Sequence, residues 1–427
     1  MRYLLAFFFF FMYMGDNLGV NISLGPGMSV KNLLLYLILM GIAINAAVER
    51  NREFDIPSVI VPFVLLLFYA VMTWITVAFI LDYPNYSIRA SFVALKSSVV
   101  DQLLTFLIYF FGLLYLKDSL WLLRTIIWLV IIGNIITIID TFNIPNLGIL
   151  DVPRKAGRFE GFLGQPNAYG QFLVLFIPAT IALYVLESGK ARVWAGIGAF
   201  VTVMALVLTG SRGGYVGLLA GSIFAAFFLR RFIPSEAFFR AGAVAVLVCG
   251  FAITITYVAG YADVYMERVL DVEGSAHVVS SGRTTIWRLA LEPMIEYPWS
   301  FLTGFGFFSY ESSRFYHSTH NVYLSYLYNL GSIGLILFAT VFARILATAR
   351  LAIVHASVEY RPQMLALVFG LFSFLVAIFF SEYQSSGYLL WAYMGVGMRI
   401  ATQARPGTVT EEVRPIGLPA PASRGRN

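Results

Sequence analysis

The chain is dominated by apolar runs of the length that crosses a lipid bilayer, separated by short polar segments that carry most of its charges. The runs fall at about 3–20, 30–48, 58–81, 98–116, 120–139, 168–186, 193–209, 214–229, 241–259, 321–343, 364–381 and 386–401. A bilayer's hydrocarbon core takes roughly 20 helical residues, and a helix crosses it because its backbone polar groups are bonded internally. About twelve such runs use up roughly 240 residues, so loops and tails are left but no large soluble domain. The fold expected is therefore an all-α polytopic membrane protein with about 12 transmembrane helices. Only 12% of the residues are charged, about half the usual soluble fraction.

The net charge of +6 is spread over single Lys and Arg residues between apolar runs. It reads as membrane topology, and nucleic-acid binding is not expected. With the N-terminus in the cytoplasm, most of the 29 Lys and Arg residues fall in inside segments, as the positive-inside rule requires. Met1-Arg2 and the apolar stretch behind it lack a small-residue cleavage site and read as a retained first helix. Both termini then face the cytoplasm. Residues 1–401 form one polytopic catalytic domain, and 402–427, rich in Pro, Ala, Gly and Arg, form a disordered cytoplasmic tail. The single cysteine, Cys249, lies in an apolar run and excludes both an intramolecular disulfide and a cysteine metal cluster.

Two outside segments, about 140–167 and 260–320, are too long for turns. In the second, Ile286, Leu289, Ala290 and Met294 recur at helical spacing, with Arg283, Arg288 and Glu292 off that stripe. This predicts a short amphipathic helix on the membrane surface between spans 9 and 10, capped by Ser280, Ser281 and Gly282.

Four motifs could carry chemistry. Ser211-Arg212-Gly213 sets a guanidinium at an outer span end, where it either snorkels to the interface or grips phosphate with its planar fork. Ser281-Gly282-Arg283 places a second guanidinium at a helix N-terminus that already favours an anion, so that the two arginines form a candidate diphosphate clamp. His320 opens the tenth span beside Asn321, and an imidazole there can accept a proton from a sugar hydroxyl at neutral pH. His317, at i−3, makes no recognised metal-ligand set with the nearby acids Glu311 and Glu292. Gln165-Pro166-Asn167 ends the first long loop with two side-chain amides able to bond a sugar or phosphate. Trp287 and Tyr316 offer flat faces to sugar rings, although interfacial aromatic belts are the commoner use of such residues.

Taken in order, Gln-Pro-Asn-x-x-Gly, Ser-Arg-Gly, Ser-Gly-Arg-x-x-x-Trp, Gly304-Phe305-Gly306 and His320-Asn321-x9-Gly331-x-x-Gly334 resemble the O-antigen ligase and O-antigen polymerase superfamily. The resemblance covers about residues 150–345. It implies a GT-C-type glycosyltransferase, metal-independent and without cofactors, with its active site on the periplasmic face of the bacterial inner membrane. By the same resemblance Arg212 and Arg283 contact the phosphates and His320 is the essential histidine. The expected donor is a glycan on undecaprenyl diphosphate and the expected acceptor the lipid A-core oligosaccharide. Such a donor is already activated, so transfer to an acceptor hydroxyl needs one inverting displacement and no enzyme nucleophile. A polymerase joining two lipid-linked glycans, a protein O-oligosaccharyltransferase and a transporter of lipid-linked glycans are the alternatives. The last predicts ionisable residues deep within spans, whereas Asp101, Asp140, Arg212 and Glu382 are expected near span ends.

Overall fold

The computed structural model describes residues 1–48, 56–81, 83–141, 158–232, 250, 254, 257, 282–312, 319–355, 360–382 and 386–404. Among them, eight helices are long and apolar enough to cross a membrane. The helices that build the bundle are α1 (Arg2–Met14), α2 (Val30–Val48), α3 (Ile60–Thr76), α4 (Ile88–Leu95), α5 (Asp101–Phe111) and α6 (Leu116–Thr141). They continue with α7 (Pro166–Leu186), α8 (Gly189–Thr209) and α9 (Arg212–Phe224), followed by α10 (Arg283–Glu296), α11 (Ser300–Thr303) and α12 (Ser309–Ser312). The last three are α13 (Val322–His355), α14 (Arg361–Ala377) and α15 (Gly387–Gln403). A hairpin of β1 (Ser23–Gly25) and β2 (Met28–Ser29) leads into α2.

The protein is thus a mostly helical, multi-pass membrane protein, and some of its spans depart from the sequence expectation. The run at 3–20 is helical only to Met14. At 13 residues it extends about 20 Å, short of a bilayer's roughly 30 Å. The polar Gly15-Asp16-Asn17 segment ends it, and Asn17 Nδ2 instead donates to Phe162 O at 2.6 Å. The runs at 364–381 and 386–401 form helices of 17 residues each. The run at 241–259 lies outside the described residues except for isolated positions. The run at 98–116 starts earlier than expected, because a π-helical stretch (Lys96–Val100) fuses α4 to α5 into a 24-residue segment, Ile88–Phe111.

Because the fused segment starts at Ile88, Asp101 lies in its interior rather than near its start, and it is fully buried. Lys96 Nζ bonds Asp101 Oδ2 at 2.7 Å, and Asn32 Nδ2 (2.8 Å), Tyr36 OH (2.9 Å) and Tyr388 OH (3.0 Å) donate to the same carboxylate. A buried charge is tolerated when it is both paired and hydrogen-bonded, and this one is. Asn32 and Tyr388 belong to the first turns of α2 and α15, so the network lies toward one end of the bundle.

Helices α7 and α15 form the centre. Both are apolar on all sides and buried along most of their length, as expected of helices wholly surrounded by other helices. Where α9 crosses α14, Gly213, Gly217 and Gly221 form a stripe at four-residue spacing. A Cβ at Gly217 would come within 2.6 Å of Ser373 O, and one at Gly213 within 2.8 Å of Phe380 Cβ. Small residues at this spacing let membrane helices approach backbone to backbone. The start of α9 is thereby seated on the end of α14.

The bundle has two distinguishable ends. At one, Arg2 Nη1 pairs with Asp118 Oδ1 at 2.7 Å, Ser119 Oγ donates to Gln403 Oε1 at 2.8 Å, and Arg399 Nε donates to Leu113 O at 2.7 Å. The start of α1 and the end of α15 therefore share the end formed by the α5–α6 turn. The opposite end gathers the close of α8, the starts of α7, α9 and α13, and the close of α14.

Candidate active site

The Ser-Arg-Gly motif is a helix-to-helix corner. Gly210, at φ 57°, ends α8 in the left-handed conformation that an L side chain resists. Ser211 then caps α9, its Oγ accepting from Gly214 N at 3.3 Å. Arg212 becomes the first residue of α9. The corner is clamped from outside by Arg158, a buried residue near the end of the first long loop. Its Nε donates to Thr209 O at 2.9 Å and its Nη2 to Gly210 O at 3.3 Å, satisfying carbonyls left open at the end of α8. The same Nη2 donates to Asn167 Oδ1 at 2.9 Å. The Asn167 carbonyl, expected to face substrate, is therefore engaged by Arg158 and ties the Gln-Pro-Asn motif to the Ser-Arg-Gly corner. Gln165 precedes Pro166 at the start of α7 in extended geometry, with an exposed side chain.

The amphipathic helix expected in the second long loop is α10. It begins at Arg283 behind Gly282, which has φ 78°. Ala290 and Met294 are fully buried in a small cluster with Tyr310, Leu324 and Tyr328, while Leu289 on the expected apolar stripe is 37% exposed. Trp287 Nε1 donates to Thr319 O at 2.9 Å, and the ring packs edge-on against Phe379 at 5.4 Å. The indole thus braces the residue immediately before His320.

His320 adopts φ 48°, in the left-handed region that only a few per cent of non-glycine residues enter. Its neighbours hold it there. Thr319 Oγ1 lies 3.0 Å from Asn321 O and 3.3 Å from Glu382 Oε1, and accepts from Asn321 N at 3.3 Å. Asn321 Oδ1 accepts from Leu324 N at 3.1 Å. Asn321, expected to bind substrate, is thus the N-cap of α13 and is buried. Val322 N donates to Ile378 O at 3.2 Å, joining this turn to the end of α14.

The glycines beyond the histidine break a helix. Gly331 (φ 63°, ψ −169°) interrupts α13, and the interruption frees carbonyls that a continuous helix would use. Phe305 N takes Tyr328 O at 2.8 Å and Gly306 N takes Asn329 O at 2.9 Å. A Cβ on Gly304 would come within 2.5 Å of Asn329 O, and one on Gly331 within 2.2 Å of Leu302 O. The Gly-Phe-Gly and Gly-x-x-Gly motifs are therefore the two halves of one docking joint.

That joint carries Glu311. Asn329 is buried, and its Oδ1 accepts from Ser309 Oγ (3.1 Å) and Tyr310 N (2.9 Å), while its Nδ2 donates to Glu311 Oε2 at 3.2 Å. Glu311 and Glu382 both line a cavity of about 80 Å³ between α3, α5 and the first part of α13. Glu311 opens onto this cavity, yet the protein crowding it raises its carboxyl to about 7, with the negative charge of Glu382 adding to the effect. In the sequence Glu311 makes no recognised metal-ligand set with His317, and Glu382 reads only as a charge near a span end. The usable signal was an ionisable residue at the mouth of a span.

Three separate stretches thus converge on the end of α14. Gly213 of the arginine corner packs on it, Val322 of the histidine turn bonds to it, Phe379 meets Trp287 one turn past Arg283, and Glu382 follows it. Tyr316 and His317 lie outside the described residues, as do Ser280 and Ser281. Among the described residues, no group of three or more His, Cys, Asp or Glu could hold a metal ion.

Arg212, Arg283, His320, Glu311 and Glu382 are thus carried by elements that meet at one end of a multi-pass helical bundle. Residues 197–339 match a family model described as O-antigen ligase. The matched stretch contains Arg212, Arg283, Glu311 and His320, and in it the chain is similar to O-antigen ligases. No curated protein matches the chain.

Proposed function

We propose that the protein is an O-antigen ligase that moves a glycan from undecaprenyl diphosphate to a sugar of the lipid A-core oligosaccharide. The observation that carries this reading is the convergence of the Ser-Arg-Gly corner, the start of α10 and the His320 turn on the end of α14, within the stretch matched by the family model. Arg212 and Arg283 neutralise the diphosphate as it leaves, the task a divalent cation performs in other transferases. His320 works on the attacking hydroxyl. A single displacement inverts the anomeric centre. Gln165, Asn167, Asn321, Trp287 and Tyr316 frame the substrates, and the bonds described above make Asn167, Asn321 and Trp287 indirect contributors that hold the arginine corner and the histidine turn. The protein resides in the bacterial inner membrane with this end in the periplasm. The excess of basic residues in the predicted cytoplasmic segments supports that orientation, as does the shared position of Arg2 and Gln403 at the opposite end. Residues 402–427 form the cytoplasmic tail.

The acceptor decides between ligase and polymerase. Purified protein supplied with a labelled lipid-linked glycan is expected to label rough lipopolysaccharide, leaving the lipid-linked pool unlengthened when that acceptor is withheld. Growth of lipid-linked chains in its absence would assign a polymerase.

A further inference from the structure

We infer that Glu311 takes up the proton of the attacking acceptor hydroxyl, held for this by Asn329 in the cavity it shares with Glu382. This rests on the glycosyl-transfer reading above and gives that reaction its proton acceptor, with His320 orienting the hydroxyl.

Three features of the structure converge on this role. The first is the mounting of the carboxylate. Asn329 receives two donors on its Oδ1, which fixes its amide so that Nδ2 faces Glu311 Oε2 at 3.2 Å. The backbone of the same residue is pinned by Gly306 N at 2.9 Å. Beside the Asn329 bond the carboxylate accepts from its own backbone N–H, and two carboxylate oxygens with about four lone-pair sites still leave room for a substrate proton. The mounting belongs to the docking joint at the break in α13, a place where helix-backbone hydrogen bonding is given up.

The second feature is the cavity. It is lined by Glu311 and Glu382, by the hydrogen-bonding side chains of Ser325 and Asn329, and by the aromatic rings of Phe307 and Tyr326. Polar groups beside flat apolar faces suit one hydroxyl-bearing edge of a sugar entering from the mouth of this small cavity. Glu382 connects the cavity to the histidine turn, its Oε1 lying 3.3 Å from Thr319 Oγ1, one residue from His320.

The third is protonation. A free glutamate, titrating near 4.3, is too weak a base to relieve a sugar hydroxyl efficiently. Crowding and Glu382 lift Glu311 to about 7, where a general base is best matched to neutral pH. The titratable groups facing it are Glu382, Tyr86, Tyr310 and Tyr328, with His320 beyond Thr319. Phenols stay neutral at pH 7, so those tyrosines do not cancel the charge of Glu382.

In the step itself, the acceptor O–H bond breaks and its proton passes to the Glu311 carboxylate. The acceptor oxygen forms a bond to the anomeric carbon. The bond from that carbon to the diphosphate oxygen breaks, and its electron pair leaves with the diphosphate between Arg212 and Arg283. The proton returns from Glu311 to solvent before the next turnover.

The test measures kcat/KM for transfer by the full-length protein in detergent across pH, with donor binding measured alongside. In the wild type, activity should rise with pH through about 7 as the Glu311 carboxylate forms. E311Q is expected to lose transfer by on the order of a hundredfold, to lose that rise and to bind donor normally, and E311D to regain part of both rate and rise. An E311Q protein within threefold of wild type, or one that keeps the rise near pH 7, overturns the inference. If E311Q also loses donor binding, E311D decides, since transfer by E311D without any pH rise overturns the inference equally. A wild type that transfers nothing overturns the glycosyl-transfer reading itself, a result distinguishable from failure of Glu311 alone.

Discussion

His320→Ala is expected to abolish glycan transfer, by roughly 10²-fold or more for the loss of the group that orients the attacking hydroxyl, while leaving donor binding within a few fold of wild type. The histidine sits at the start of α13 with φ 48°, and alanine resists that conformation. His320→Asn separates chemistry from strain, because asparagine tolerates left-handed geometry and keeps a polar side chain. Both variants should be inactive. Transfer by His320→Asn at near wild-type rate, measured with saturating donor, would assign the histidine a purely structural role.

Arg212→Lys and Arg283→Lys should each lower kcat/KM by about ten- to a hundredfold, although charge is retained. An ammonium cannot reproduce the forked pair of hydrogen bonds that a guanidinium gives to phosphate. One charge-assisted bond is worth about 1.5–3 kcal/mol, and each 1.36 kcal/mol is tenfold in rate. The loss should be the same with every acceptor, since the diphosphate is common to all, and largest at subsaturating donor. An Arg283→Lys enzyme with unchanged rate under those conditions would remove Arg283 from the clamp. The Arg212 result reads cleanly only while its corner stays folded. That corner is held independently by Arg158, whose bonds to Thr209, Gly210 and Asn167 do not involve the Arg212 side chain.

Much of this architecture is legible in the sequence because a bilayer imposes length and hydropathy. The runs at 30–48, 168–186 and 193–209 appear as helices within a few residues of the expected boundaries. The surface helix is legible for the related reason that its apolar residues recur with helical period. What periodicity cannot show is a helix that continues through polar residues, as α4 does into α5 through Lys96, Ser97 and Ser98. Nor can it show a helix that stops while its composition remains apolar, as at Gly331.

The candidate site is legible as motifs but not as roles. Sequence reasoning takes each amide or indole near a motif for a ligand contact. In the structure Asn321 caps α13, Asn167 accepts from Arg158, and Trp287 donates to Thr319. Loop backbone withdrawn from water needs partners, and side chains such as Asn321 and Trp287 supply them. Glu311, Glu382 and Arg158 have no part in the site that is legible in the sequence, for the converse reason. Their importance comes from neighbours far away in sequence, Asn329, Thr319 and Thr209 among them.

The central claim is that protein side chains alone activate a lipid diphosphate donor for sugar transfer. Transfer of labelled glycan by the purified protein, with and without excess EDTA, tests it most directly. The expected result is equal turnover in both, with polyprenyl diphosphate released as the acceptor is labelled. Turnover lost in EDTA and restored by Mg²⁺ or Mn²⁺ would contradict the account, because a cation would then be doing the work assigned to Arg212 and Arg283.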